Sequence, residues 1–210
     1  MQIVADFFDF LIHLDDHLVA LIGQHGTLAY LILFLIIFSE TGVVFLPFLP
    51  GDSLLFFIGI IAASNHLSLP LIIIILIIAS ILGNISNYFV GSYMGDKILA
   101  TPKFWIKKEH VSVTKDFYQK YGPKAIVLGR FIPIARTFVP FIAGVIKMNF
   151  SHFMIYTVIG GILWVVSLTV AGYYFGNIPL VRDNITWVVL LLLLVPLLPL
   201  LTNIFKKNRS

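Results

Sequence analysis

The chain contains no cysteine. A disulfide framework, a cysteine-ligated zinc site and a thiol nucleophile are therefore excluded. Charge is scarce as well. Asp, Glu, Lys and Arg make up 11% of the 210 residues, where a soluble domain carries about a quarter. So few charges cannot clothe a water-facing surface. Residues 53–95, 148–181 and 184–205 hold no Asp, Glu, Lys or Arg at all. Each stretch matches or exceeds the ~20 apolar residues that cross a bilayer as helix. Residues 1–26 lack Lys and Arg. The opening MQIVADFFDF thus has no positive n-region of a secretory signal, and the N-terminus is expected to be retained. No H-E-x-x-H motif and no credible serine–histidine pair occurs, and no histidine stands beside Arg130 or Arg136. A hydrolase or lipid phosphatase is disfavoured on that ground, and no enzymatic activity, metal, cofactor or nucleic acid is expected.

What remains is strongly apolar, with a mean hydropathy of +1.00. We expect an all-α integral membrane protein with about three full transmembrane helices, two re-entrant helical hairpins in an inverted repeat, and an N-terminal interfacial helix. Residues 1–24 place Asp6, Asp9, Asp15 and Asp16 among apolar positions at helical spacing, which fits a helix lying at the interface. The membrane domain covers 25–205. Its first repeat, 27–95, has an apolar stretch interrupted by Pro47, Pro50 and Gly51, followed by a spanning helix over 68–95. On that helix Ala79, Gly83, Asn87, Gly91 and Gly95 recur every four residues, giving a small and polar packing face. Residues 96–124 carry seven of the 14 Lys and Arg residues, so the positive-inside rule places this loop in the cytoplasm. The second repeat, 125–177, has an apolar stretch broken by Pro133 and Pro140, then a spanning helix over 150–176. A last helix over 184–205 and a basic tail, 206–210, complete the chain.

The two long helices end alike, as GSYMG at 91–95 and GYYFG at 172–176. With the first hairpin entering from outside and the second from inside, the halves form an inverted-topology repeat, an architecture of many secondary transporters. Proline-broken segments at membrane depth must be buried in protein or line a wet cavity.

Four charges fall where charge is expensive: Glu40 and Asp52 in the first broken segment, Arg130 and Arg136 in the second. Such residues mark substrate or ion pathways by default. The alternative is a set of buried structural ion pairs. Asp52 and Ser53 are suited to cap a half-helix that follows Pro50, and Arg136 and Thr137 to open one after Pro133. The positive end of a half-helix beside an arginine fork is a plausible grip for phosphate. Ser53, Thr137, Asn84 and Asn87 are added as substrate-binding candidates, although Asn84 and Asn87 also suit plain interhelical hydrogen bonds.

The segment F-x-E-T-G-x-x-x-x-P-F-L-P-G-D-S-L-L-F at 38–56 resembles the signature of the bacterial DedA family, part of the SNARE-associated or VTT-domain superfamily. So do GRFIPIARTFVPFIAG at 129–144, the stretch Asn149–Phe153, the helix from Gly160 to Trp164 and AGYYFG at 171–176. The resemblance covers about residues 5–205. It implies two facing re-entrant hairpins, essential acidic residues matching Glu40 and Asp52, and essential arginines matching Arg130 and Arg136. It further implies a multi-pass protein of the bacterial inner membrane that supports envelope homeostasis in a manner linked to the proton-motive force. The function expected is translocation of an anionic lipid such as undecaprenyl phosphate or a phospholipid. The expected partners are membrane lipids, chiefly a phosphate-bearing one, with protons or another coupling cation, and a homo-oligomer is compatible with this. A proton-coupled antiporter of small cations or drugs is the competing expectation.

Overall fold

The computed structural model describes residues 26–42, 51–63, 67–100, 118 and 120–182. The interfacial helix expected over 1–24, the loop expected over 96–124 for its part 101–117, the last helix expected over 184–205 and the basic tail lie outside the described residues. So does the tip of the first broken segment, 43–50. Helices α1 (Gly26–Gly42), α2 (Gly51–Ala63) and α3 (Leu69–Ala100) come first. A 3-10 turn (Gly122–Lys124) leads into α4 (Ala125–Gly129) and α5 (Pro133–Val145). Then follow α6 (Phe150–Gly176) and the single turn α7 (Pro179–Arg182). No strand occurs among the described residues.

Among the described residues, two helices are long and apolar enough to cross a membrane, Leu69–Met94 within α3 and Phe150–Gly176, which is α6. Both match the expected spans, and α3 runs on to Ala100, beyond the expected end at 95. Their side chains are sorted inside out relative to a soluble protein. On α3 the outward stripe is Leu71, Ile74, Ile78, Leu82 and Phe89, while Ser80, Asn84 and Asn87 are buried. On α6 Ile155, Ile159, Ile162 and Leu163 face outward and Thr157 and Thr169 are buried. A helix that keeps its hydroxyls and amides inside and shows isoleucine outside is built for lipid as solvent.

The second broken segment is a helix–turn–helix. Proline disfavours helical backbone at the residue before it, and Ile132 is accordingly extended, at φ −115° and ψ 114°. The turn over 130–132 separates α4 from α5. Pro133 takes the first position of α5, where its missing N–H leaves no gap. Pro140 was expected to break the segment too, yet it sits inside α5, which continues to Val145. The helix tolerates it because α5 is buried along Ala135–Gly144 and held by packing on both sides of the proline. Two helix starts also differ from expectation. Asp52 and Ser53 lie within the first turn of α2, which begins at Gly51, and Arg136 lies in the second turn of α5. Asn149 is the cap that the sequence reading missed. Its Oδ1 accepts from the amides of Ser151 and His152 at 3.0 and 3.3 Å at the start of α6.

The chain divides into two compact units. One takes the start of α1, α2 and the end of α6 from Leu168. The other takes α1 from Leu31, α3 from Pro70, and α4, α5 and α6 up to Ser167. In the first unit α2 and α6 meet backbone to backbone. A methyl on Gly172 would fall on the Phe56 carbonyl, and one on Gly59 would fall between the Thr169 carbonyl and the Tyr173 amide. In the second unit α5 and α3 meet in the same way. A methyl on Gly91 would fall on the Phe141 carbonyl, and one on Gly144 between the Tyr88 carbonyl and the Ser92 amide. Phe56 and Gly59 thus answer to Phe141 and Gly144, and Thr169 and Gly172 to Tyr88 and Gly91. Small residues let helix backbones approach this closely where lipid supplies no hydrophobic force between helices.

These crossings carry a prediction. Alanine is a better helix former than glycine by about 1 kcal/mol, yet Gly91→Ala and Gly144→Ala are expected to destabilise. Overpacking of this kind costs about 1–3 kcal/mol. The check is thermal unfolding of purified protein in detergent, and Gly59→Ala and Gly172→Ala are expected to show losses of the same size.

Candidate functional site

The second unit collects nearly all the buried polar groups among the described residues: Glu40, Thr41, Ser80, Asn84, Asn87, Arg130, Arg136, Thr137 and Thr157. Their arrangement follows from helix periodicity. On α1, Ala29, Leu33, Ile37 and Glu40 fall on one buried stripe, so the same face that packs α1 also delivers its carboxylate inward. On α3, Ser80, Asn84 and Asn87 share the face that carries Gly83 and Gly91. On α6, Phe153, Thr157, Gly160, Gly161 and Trp164 form the inward stripe.

Glu40 and Arg136 form a buried ion pair, the carboxylate accepting from Nη2 of the guanidinium. Their side chains are 1% and 3% exposed. Asn87 ties together the elements that carry the pair. Its Nδ2 donates to the carbonyl of Thr137 at 2.7 Å and to that of Thr41 at 3.4 Å. Each of those residues follows a partner of the pair in sequence. Where α1 crosses α3, a methyl on Gly83 would strike the Thr41 hydroxyl, and one on Gly42 would meet Gly83 Cα at 3.2 Å. α1 is therefore held against the α3 backbone at Thr41 and Gly42, with no room for side chains between.

Arg130 projects from the turn between α4 and α5 and is 1% exposed. Nη2 donates to the Thr157 carbonyl at 3.2 Å, and no carboxylate among the described residues pairs with it. Its side chain lies along the Gly160–Gly161 backbone. A methyl on Gly160 would come within 3.1 Å of Cδ and 3.2 Å of Nε. One on Gly161 would come within 3.5 Å of Nη2 and 3.2 Å of Ser80 Oγ. Trp164 serves both arginines: the guanidinium carbons stand 4.9 Å (Arg136) and 6.0 Å (Arg130) from its ring centroid. A desolvated cation over an indole face gains about 2 kcal/mol or more. Trp164→Leu is accordingly expected to weaken the site, while Trp164→Phe keeps a ring face and most of the effect. Thermal unfolding together with the transport assay described below checks both.

The structure brings Glu40, Arg130, Arg136, Thr137, Asn84 and Asn87 of the expected set into this unit. Asp52 and Ser53 stand in the first turn of α2, in the other unit, where an acidic side chain complements the helix dipole. Of the two asparagines, Asn87 is an interhelical tie as expected of such residues, whereas Asn84 makes no hydrogen bond through either amide atom among the described residues. Sequence reasoning missed Thr157, Gly160, Gly161, Ser80 and Trp164 as parts of the site. A polar or small residue recurring at three- and four-residue steps on an apolar helix was the available signal. On the outer side of α1, a shallow apolar groove lined by Ile32, Leu35, Ile36 and Ser39 ends one residue before Glu40.

The VTT domain family profile matches residues 49–174. The chain is 42% identical to Protein DedA of Escherichia coli (strain K12), over 100% of this chain and 97% of that protein. It is 35% identical to the uncharacterized membrane protein Rv0364 of Mycobacterium tuberculosis (strain H37Rv), over 90% of this chain and 86% of the relative. It is also 35% identical to inner membrane protein YqjA of Escherichia coli (strain K12), over 71% of this chain and 69% of the relative. No solved structure matches the chain.

Proposed function

The chain is a membrane protein of the DedA (VTT-domain) family, and on that premise we propose that it is a translocase of an anionic, phosphate-bearing lipid. The observation that carries this reading is a buried site that, among the described residues of the second unit, holds two guanidiniums and one carboxylate, set in helices whose outward faces are apolar. A site with surplus arginine attracts an anion, and arginine's planar fork suits phosphate. Apolar outer faces, with the shallow groove on the outer side of α1 among them, give acyl or polyprenyl tails a place to stay in lipid while the headgroup enters.

In this reading α4–α5 is a re-entrant hairpin whose exposed tip residues, Phe131 and Ile132, face lipid. The segment from α1 to α2 is the matching hairpin. The inverted repeat is supported by the two helix crossings, in which the half-helix of each repeat packs on the long helix of the other with the same residue pattern. The headgroup docks at Arg130 and Arg136. Glu40 exchanges Arg136 for a proton when the anion arrives, and Asp52 is the second coupling carboxylate. Release of the pair lets the hairpins rearrange and turns the site to the other leaflet. The protein acts without covalent chemistry, as a multi-pass protein of the inner membrane. Its substrate is undecaprenyl phosphate or a phospholipid.

The test is translocation in liposomes. Purified protein is reconstituted with a labelled polyprenyl phosphate, a labelled phospholipid and an imposed pH gradient, with Arg136→Ala and Glu40→Gln alongside. Gradient-sensitive movement of either lipid, lost in both variants, is the expected result. Movement of neither lipid by folded protein would overturn the reading in favour of proton-coupled antiport of a small cation or drug.

A further inference from the structure

Two of the described residues take the left-handed backbone region, Gly122 at φ 56° and Lys147 at φ 53°. They stand at the two roots of the second broken segment. Gly122 opens the 3-10 turn that leads into α4, and Lys147 comes just after the end of α5 at Val145. At Lys147 the amide donates to the Gly144 carbonyl at 2.9 Å, and the next amide, of Met148, donates to that of Ala143 at 3.0 Å. This pair of bonds closes a helix through a left-handed residue, and glycine is the residue ordinarily found there. A lysine pays for its Cβ in that conformation. Backbone held so persists only where its surroundings impose it, and it collects at segments that switch.

Met148 is what imposes it. Its carbonyl accepts from the Tyr88 phenol on α3, and its Sδ accepts from the Tyr118 phenol at 3.0 Å. Burial raises the Tyr118 phenol above its ordinary value, so the hydroxyl keeps its proton and stays a donor. Tyr118 precedes Gly122 in the chain, and Met148 follows Lys147. Their hydrogen bond therefore ties the two roots of the segment to each other, outside both left-handed residues.

Between the roots, α4 and α5 form one body. A methyl on Gly129 would meet Val139 Cγ2 at 3.1 Å and the Ala135 methyl at 3.5 Å. Ala125, Ile126, Ala135 and Val139 share one apolar cluster. The close crossing of α5 on the α3 backbone falls at Gly144, beside Lys147, where a rotation about the root displaces it least. The tip stands one length of α5 away, about 20 Å by helical rise, and moves most.

We propose that residues 123–146 swing as one body about Gly122 and Lys147, with the Tyr118–Met148 bond as the clasp that holds Arg130 along α6. The purpose of the motion rests on the translocase reading, and the hinge names the part that moves in it. The swing carries Arg130 and Arg136 together, off the Gly160–Gly161 step and away from Glu40. Two residues absorb the change in backbone angle and no helix unfolds. Tyr118, Gly122 and Lys147 are positioning residues in this scheme.

The experiment uses the full chain in lipid nanodiscs. The chain has no cysteine of its own, so spin labels attach only where cysteines are placed. Phe131→Cys marks the tip and Ile162→Cys marks α6, at positions 52% and 43% exposed. Pulsed electron resonance reads the separation of the labels, and two populations are expected, clasped and swung. A methyl on Gly122 meets open space, so Gly122→Ala acts on the backbone alone. It is expected to raise the ratio of swung to clasped protein about fivefold, the size of one left-handed backbone cost. Lys147→Gly alters an exposed side chain and removes that cost, so it is expected to lower the ratio by about the same factor. Tyr118→Phe keeps the ring, deletes the clasp and shifts the ratio as Gly122→Ala does. Thermal unfolding checks that each variant is folded, and turnover in the liposome assay is expected to change in step with the ratio. One separation, unmoved by all three variants, overturns the hinge. A swung share that falls with Gly122→Ala or rises with Lys147→Gly overturns it as well. Shifts as expected in a protein that moves neither lipid leave the hinge standing and sink the translocase reading. Lipid movement with an immobile segment does the reverse.

Discussion

Replacing Arg136 with alanine is expected to abolish transport and to cost about 3–5 kcal/mol of stability, because it strands Glu40 as a buried charge without its cation. Glu40→Ala is expected to do the same from the other side. Taken alone these losses say little about function, since a purely structural lock would collapse in the same way. The informative variant removes both charges. A buried ion pair replaced by apolar residues of similar volume is often neutral or even stabilising. Glu40→Leu combined with Arg136→Met is therefore expected to recover most of the stability lost by either single change. Asn87 keeps its ties to the Thr41 and Thr137 carbonyls in that variant, so the frame around the pair remains. Transport is expected to stay absent. Thermal unfolding and the liposome assay, run on the same preparations, separate the two. A stable double variant that still moves lipid would reduce the pair to a lock and remove Glu40 from the coupling scheme.

How much of this was legible in the sequence depends on what each feature rests on. The long helices were plain, because α3 and α6 are defined by charge-free length, and their observed starts at Leu69 and Phe150 agree with the reading. The break before Pro133 was also plain, since proline acts locally on Ile132. The role of Pro140 was not, because whether a helix absorbs a proline is decided by the packing around it. The four charges within apolar stretches of sequence stood out by their cost alone, but their pairing did not. Glu40 meets Arg136 across 96 residues, and nothing in the sequence chose Arg136 over Arg130. The asparagines illustrate the same limit. Asn84 and Asn87 look equivalent three residues apart on one face, yet among the described residues Asn87 is engaged through its amide nitrogen and Asn84 through neither amide atom. Trp164 and the Gly160–Gly161 step were hidden because an aromatic or a glycine in a long apolar helix is ordinary until a guanidinium lies on it.

The sharpest contrast predicted is between the two arginines. Arg130→Met is expected to abolish transport while leaving the protein as stable as the parent, or more stable. The reason is the difference in their surroundings. Arg136 is matched by Glu40, whereas among the described residues Arg130 is a buried cation that donates to the Thr157 carbonyl and has no partner for Nε and Nη1. Burying a charge without compensation costs several kcal/mol, and the aromatic contact with Trp164 at 6.0 Å recovers only part of that. Methionine fills the channel along Gly160 and Gly161 with an unbranched, adaptable chain and removes the cost. A residue that lowers the stability of the empty protein is held in place by what it does when the site is filled. The measurement is thermal unfolding of parent and Arg130→Met with and without added polyprenyl monophosphate. The parent is expected to gain stability on adding the lipid, and the variant to start at or above the parent's lipid-free value and gain none. A large loss of stability in lipid-free Arg130→Met would instead make Arg130 a structural cation. The anion site would then have to be rebuilt around Arg136 alone, with Glu40 leaving it whenever substrate arrives.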